Sequence, residues 1–550
     1  MSKPVWTPSD ERVANSNMHA FLSFVAEKYG VEEDYHALWQ WSVNEPERFW
    51  EAVWILSDIQ ASATASEVLE NGDQMPGARW FSGALLNFAE NLLVEPNSQP
   101  AIIFRSEGGE RRCLTRAELT ECVARLASAL SDSGVGEGDR VAGLLPNLPE
   151  TVIAMLATTS IGALWTSCSP DFGLKGIQDR FGQIEPKVLF TADGYTWNGK
   201  PIDSLETVRG LVDSQPSITR IVVVPYLNPR PSLRHLPTAV LFDEYLGPAT
   251  EPEYAQLPFD HPAFILYSSG TTGVPKCIVH GAGGTLLQHL KEHQLHTDIK
   301  PGDRVFYYTT CGWMMWNWLT SALASKATIV LYEGSPFHPG PEALWRIAQD
   351  ESVNVLGTSA RYLAALEKAG VKPGETFELE ALRAVLSTGS PLAPDSYDFV
   401  YRDIKADVQL SSISGGTDIV SCFALGHPAL PVYREELQTR GLGMAVHVMN
   451  DSGDSVQGEK GELVCTRPFP SMPVFFWNDP DGERYRDAYF NRFPNTWCHG
   501  DYAELTEHNG VIIHGRSDAV LNPGGVRIGT AEIYRQVEPF DEVLESLAVG

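Results

Sequence analysis

The densest chemistry in this 550-residue chain lies in one run, Tyr267-Ser-Ser-Gly-Thr-Thr-Gly-Val-Pro-Lys276. Gly270 and Gly273 let the backbone turn its N–H groups toward an anion with no Cβ in the way. Ser268, Ser269, Thr271 and Thr272 can donate to phosphate oxygens, and Lys276 adds a compact positive charge. The same composition also suits a flexible Ser/Gly/Thr surface loop. The run is not the P-loop of nucleoside triphosphatases, because the Gly-x-x-x-x-Gly-Lys-[Ser/Thr] spacing is absent.

Four further segments follow it in order: Leu386-Ser-Thr-Gly-Ser-Pro391, Ser411-Ser-Ile-Ser-Gly-Gly-Thr-Asp-Ile419, Trp497-Cys-His-Gly-Asp501 and the long run from Gly515-Arg-Ser-Asp518 to Gly529-Thr-Ala-Glu532. Singly, several read as ordinary turns. Together with the first run they resemble the signature motifs of the adenylate-forming superfamily, which includes acyl-CoA synthetases, peptide-synthetase adenylation domains and luciferases. The resemblance spans roughly residues 85–550.

That resemblance implies a role for each residue. Ser268, Ser269, Gly270, Thr271 and Gly273 would cradle the phosphates of ATP, with Thr272 and Lys276 at the reacting end. Gly389, Ser390 and Pro391 would lie beside adenine and ribose, next to Ser412, Ile413 and Ser414. Thr417 would contact the α-phosphate. Asp418 stands where the family has Glu and would hold Mg²⁺ together with Thr272; being one methylene shorter, it would reach the ion through water. Asp501 would accept from the ribose hydroxyls, with Arg516 near the ribose, Arg527 near the α-phosphate and Asp518 at a hinge.

The implied reaction has two steps. A carboxylate attacks the α-phosphorus of ATP and releases pyrophosphate; the CoA thiol then attacks the acyl carbon and AMP leaves. The first step needs alignment and charge neutralisation more than a protein nucleophile. No Ser-His-Asp triad is therefore expected, and His280, His289, His293 and His296 are read as core or helix-surface residues.

Three features bear on the acid. The aromatic run Cys311-Gly-Trp-Met-Met-Trp-Asn-Trp318 is similar to the acyl-pocket stretch of small-acid synthetases, with Trp313 in the matching place, and Thr388 is assigned to the same pocket. Where acetate-activating members carry a Trp, this chain has Gly415, followed by Gly416, which implies room for an acid longer than acetate. The Ser-Gly-Gly-Thr-Asp-Ile run and the aromatic N-terminal stretch Leu38-Trp-Gln-Trp-Ser42 resemble the acetoacetate-activating branch. The expected substrates are thus acetoacetate, ATP and CoA, with Arg180 and Ser169 at the nucleotide end of CoA. Alternatives are another short acid (acetate, propionate or butyrate), transfer to a carrier protein, or an inactive nucleotide-binding fragment. The last arises because the family's small C-terminal domain carries a lysine that bridges acid and α-phosphate, and the chain stops at Gly550. On that reading these residues alone bind nucleotide but adenylate poorly.

Such residues need a scaffold. Short apolar runs at Ala101–Phe104, Val141–Leu145, Val188–Phe190, Ile221–Val224, Ala263–Tyr267, Thr328–Leu331 and Val353–Leu356 alternate with stretches of helical periodicity such as Thr115–Leu130. The alternation predicts an α/β fold with largely parallel sheets. The expected organisation is a helical cap over 1–99, then a large domain over 100–516. That domain comprises two layered α/β subdomains and a small β-barrel-like subdomain from about 440. The hinge and the start of a small α+β domain follow over 517–550. The Pro-rich stretches 225–237 and 247–262 read as surface connections.

Bulk properties set limits. Hydrophobic residues at 43% and charged residues at 20% describe a folded protein. A formal net charge of −29 argues against nucleic acid as a partner and requires any phosphate site to be built locally. The eight cysteines form no Cys-x-x-Cys pair, which suits a reducing compartment. The N-terminus has no signal-like apolar core, and the longest apolar stretch, Thr151–Trp165, is too short to span a bilayer and reads as a buried helix. A cytoplasmic location without membrane contact is expected; the sequence does not address oligomeric state.

Overall fold

A computed structural model describes residues 3–249, 251–268 and 274–517, and the backbone of two short strands, Val520–Leu521 and Ile528–Gly529. Two large sheets dominate. The first has eight strands, in the order Ala239–Leu241, Arg220–Val224, Val188–Ala192, Arg140–Leu144, Leu164–Cys168, Pro262–Ser268, Lys276–Gly281 and Phe475–Phe476. Its first six strands run parallel; the last two are antiparallel additions. Leu164–Cys168 and Val188–Ala192 are buried at every position, as required of strands covered on both faces.

The second sheet has seven strands, ordered Gln409–Ser412, Ala384–Thr388, Val355–Ser359, Arg304–Tyr307, Thr328–Glu333, Pro100–Ser106 and Arg111–Thr115. All are parallel except the last. Helices begin where local chemistry allows. Thr115 and Glu118 form a reciprocal capping box for Arg116–Asp132, and Pro149 opens Pro149–Ser160. The apolar stretch 151–165 is therefore not one buried helix. The helix ends at Ser160, Gly162 turns the chain at φ +77°, and Leu164 starts a strand.

A third, antiparallel sheet of four strands holds Val446–Met449, Lys460–Cys465, Trp497–Leu505 and Val511–Arg516 in that order, among the described residues. The N-terminal segment starts with four helices that run as far as Leu56. Beyond it come the short strands Ala61–Ala63, Glu67–Glu70, Arg79–Ser82 and Leu85–Leu86 and a fifth helix, Phe88–Leu92, so the segment expected as a helical cap over 1–99 mixes helix with short strands. It packs on the chain near 440: the Trp39 indole donates to the Met444 carbonyl at 3.2 Å, and the Arg440 guanidinium lies 3.4 Å over the Trp39 ring. Among the described residues no helix is long and apolar enough to cross a membrane, and the eight cysteines are free thiols.

Candidate active site

A cavity of about 400 Å³ opens where the parallel strands of the second sheet end. Ligands of open α/β sheets bind at such carboxyl ends. Ser359, Thr388 and Ser412 are the last residues of three adjacent strands, and all three line the cavity. The turn Gly389–Pro391 continues the wall; Gly389 sits at φ +94°, a conformation that favours glycine. The Thr388 hydroxyl donates to the Ile413 carbonyl at 2.8 Å and ties this turn to the next wall, Ser412–Thr417.

The phosphate-loop candidate is the turn of a β-hairpin. Strand Pro262–Ser268 pairs antiparallel with Lys276–Gly281, with Ser268 opposite Lys276. Ser269, Gly270, Thr271, Thr272 and Gly273 lie outside the described residues, but both hairpin ends reach Asp418. Lys276 Nζ is 2.9 Å from Asp418 Oδ1, and Ser268 Oγ is 3.4 Å from the same oxygen. Two segments some 140 residues apart in sequence are thereby joined. Asp418 is 1% exposed, so the lysine offsets a charge that burial would otherwise penalise heavily.

The small sheet supplies the other side. Asp501 and Arg516 are register partners, and Arg516 Nη1 donates to Asp501 Oδ1 at 2.9 Å; both line the cavity. Trp313 and Arg180 also line it, whereas Ser169 is buried behind, its N–H group 2.8 Å from where a Gly312 β-carbon would stand. The hinge candidate Asp518 and Arg527 lie outside the described residues.

The room expected at Gly415 is not where a side chain there would point. A β-carbon on Gly415 would fall 2.1 Å from the Ser421 carbonyl oxygen, in the strand Ser421–Leu425 that pairs with it. Glycine is needed at 415 for close strand approach. The clearance lies at Gly416, where a β-carbon would meet only the His499 ring, at 3.8 Å.

Sequence reasoning missed Tyr489 and the part played by His280. Tyr489 ends the helix Glu483–Tyr489, and its hydroxyl donates to Asp418 Oδ1. His280 is buried, which pushes its pKa down to about 4, so the ring is neutral at pH 7. Its Nε2 lies 2.9 Å from the Thr417 carbonyl and must be the protonated nitrogen. The other three histidines are buried structural groups: His289 bridges Ser321 and Val420, His296 bridges Gly426 and Leu442, and His293 packs edge-on to Trp318. No local pattern marks His280 off from them; only the fold brings it to 417.

Among the described residues no group of three or more His, Cys, Asp or Glu could hold a metal ion. The buried Asp418 carboxylate fits Mg²⁺ nonetheless, since that ion usually takes one or two carboxylates and completes its shell with phosphates and water.

Together the layered sheets, the cavity at the strand ends and the two acids beside it suit an α/β enzyme. The chain belongs to the AMP-binding enzyme family, whose profile matches residues 88–472. Residues 35–92 match a second profile, the acetyl-coenzyme A synthetase N-terminus. The chain is 55% identical to acetoacetyl-coenzyme A synthetase of Rhizobium meliloti (strain 1021), covering 100% of this chain and 84% of that one. It is 47% identical to acetoacetyl-CoA synthetase of Gallus gallus, at the same coverage. The fold superposes on the structure of acetoacetyl-CoA synthetase from Streptomyces lividans with a TM-score of 0.91, at 46% identity, covering 100% of this chain and 85% of that one.

Proposed function

We propose that this protein activates acetoacetate with ATP and passes it to CoA, giving acetoacetyl-CoA, AMP and pyrophosphate. The observation that carries the reading is the meeting of Lys276, Ser268 and Asp418 at one carboxylate oxygen, beside a cavity whose far side is Asp501 with Arg516. That arrangement offers a triphosphate end and a ribose end in one cleft.

In the first step a carboxylate oxygen of the acid bonds to the α-phosphorus as the bond to the pyrophosphate oxygen breaks. Lys276 and the Thr417 hydroxyl are proposed to stabilise charge developing on the phosphate oxygens. Asp418 would hold Mg²⁺, which supplies further neutralisation of the phosphates when bound, and Thr272 is proposed to share it. Asp501 accepts from the ribose hydroxyls, and the turn Gly389–Pro391 lies along the purine. Ser269, Gly270, Thr271 and Gly273 are proposed to wrap the phosphates, with Arg527 near the α-phosphate. In the second step the CoA thiolate sulfur attacks the acyl carbon, and AMP departs with the electron pair of the acyl–phosphate bond. Arg180, at the cavity edge, is proposed for the nucleotide end of CoA. The eight free thiols suit a cytoplasmic location.

The test is thioester formation from acetate, acetoacetate, butyrate and octanoate, alongside calorimetric binding of the matching non-hydrolysable acyl-sulfamoyl-adenosines. Acetoacetate should be preferred in both. Preference for acetate or octanoate would overturn the assignment of the acid.

A further inference from the structure

We propose that Tyr489 is a positioning residue that holds the Asp418 carboxylate for the cation-bound triphosphate; this rests on the nucleotide-binding reading above. Asp418 Oδ1 receives the Tyr489 hydroxyl and the Lys276 ammonium together, and Lys276 Nζ is 3.4 Å from the Tyr489 oxygen and 5.0 Å from its ring centre. Of its donors, Lys276 and Tyr489 differ in freedom. Lys276 has a flexible stem and a side chain 21% exposed, so it can turn toward an arriving phosphate. Tyr489 is 3% exposed and cannot. Its ring stacks on Trp497, with centroids 3.7 Å apart and planes 14° from parallel, and Trp497 is fully buried.

When Lys276 is drawn to phosphate, Tyr489 keeps a donor on the buried acid. A donor that cannot move helps keep this buried carboxylate aimed in one direction. The stack also links the two acids of the cleft. Trp497, His499 and Asp501 alternate along one strand and face the same side. The Trp497 indole N–H lies 3.4 Å from His499 Nδ1, and His499 Nε2 is 3.7 Å from Asp501 Oδ2. A continuous chain of contacts thus runs from the acid at the triphosphate end, through Tyr489 and Trp497, to the acid at the ribose end.

The experiment is Tyr489→Phe in this same chain, with ATP binding measured by calorimetry with and without Mg²⁺ and thermal melting as the folding control. MgATP affinity should fall about tenfold, the scale of one hydrogen bond to a charged group, while metal-free ATP should change less than about twofold. Unchanged MgATP binding would overturn the proposal, as would an equal loss with and without the metal. Should Tyr489→Phe melt too low to read, Trp497→Phe, which keeps the hydroxyl and loosens its support, should show the same selective loss of MgATP; equal or absent loss there overturns it too. Wild-type protein that binds no ATP under any condition would instead sink the nucleotide-site reading itself.

Discussion

At the scale of single residues, the Lys276–Asp418 pair is asymmetric. Asp418 is buried, while the lysine side chain keeps a path to solvent. Removing the lysine leaves a charge in the interior, whereas removing the acid lets the lysine turn outward. Lys276→Met should therefore cost about 3 kcal/mol of stability and Asp418→Asn about 1, read by urea unfolding. The two glycines at the cavity differ in the same way. Gly415→Ala drives a methyl into the Ser421 carbonyl and should lower stability by about 2–3 kcal/mol or more. Gly416→Val should fold and, by filling the clearance near His499, shift acid preference toward acetate, measured as relative kcat/KM. The family resemblance could single out the turn after Ser268, Thr417 and Asp418, because hydroxyls, glycines and an acid in fixed order carry a local signal. Tyr489 carries none, since its part depends on a contact with a residue 71 positions away.

At the scale of elements, the strand Lys276–Gly281 does two jobs. Its first residue meets Asp418, and His280, on the same strand, fixes the carbonyl of Thr417. His280→Leu should loosen the turn that presents Thr417 and weaken nucleotide binding about fivefold, checked by calorimetry. Since the ring is neutral down to about pH 4, wild-type binding should show no His280-linked change between pH 6 and 8. Strand positions were legible because apolar runs of three to five residues stand between turn residues, and both ends of Thr328–Glu333 and Pro262–Ser268 fall within a few positions of the sequence reading. The split of 151–165 was not legible, because a buried helix and a buried strand are both apolar at every position and periodicity cannot part them.

At the scale of the whole molecule, the two large sheets meet near Glu333. It ends a strand of the second sheet and accepts from the backbone N–H of Asn147, which follows a strand of the first. Burial, with Asp171 and Glu107 nearby, pushes its pKa up to about 8. The folded state therefore holds a proton that the unfolded chain releases near the ordinary carboxyl range. The stability it lends is full below about pH 4.5 and is lost as pH rises toward 8. Glu333→Gln should flatten that slope and gain roughly 2–4 kcal/mol at pH 8, read from unfolding curves across pH. Alternation of strand and helix gave away the α/β class but not which sheet each strand joins. Pro100–Ser106 pairs with Thr328–Glu333, Ile102 facing Ile329. During synthesis, at about 5–20 residues per second, the apolar run Ile102-Ile-Phe104 waits on the order of ten seconds or more for its parallel neighbour. For that interval only the hairpin to Arg111–Thr115 covers one of its edges. The nascent chain thus offers a sticky, half-clothed ribbon to whatever stands at the ribosome exit.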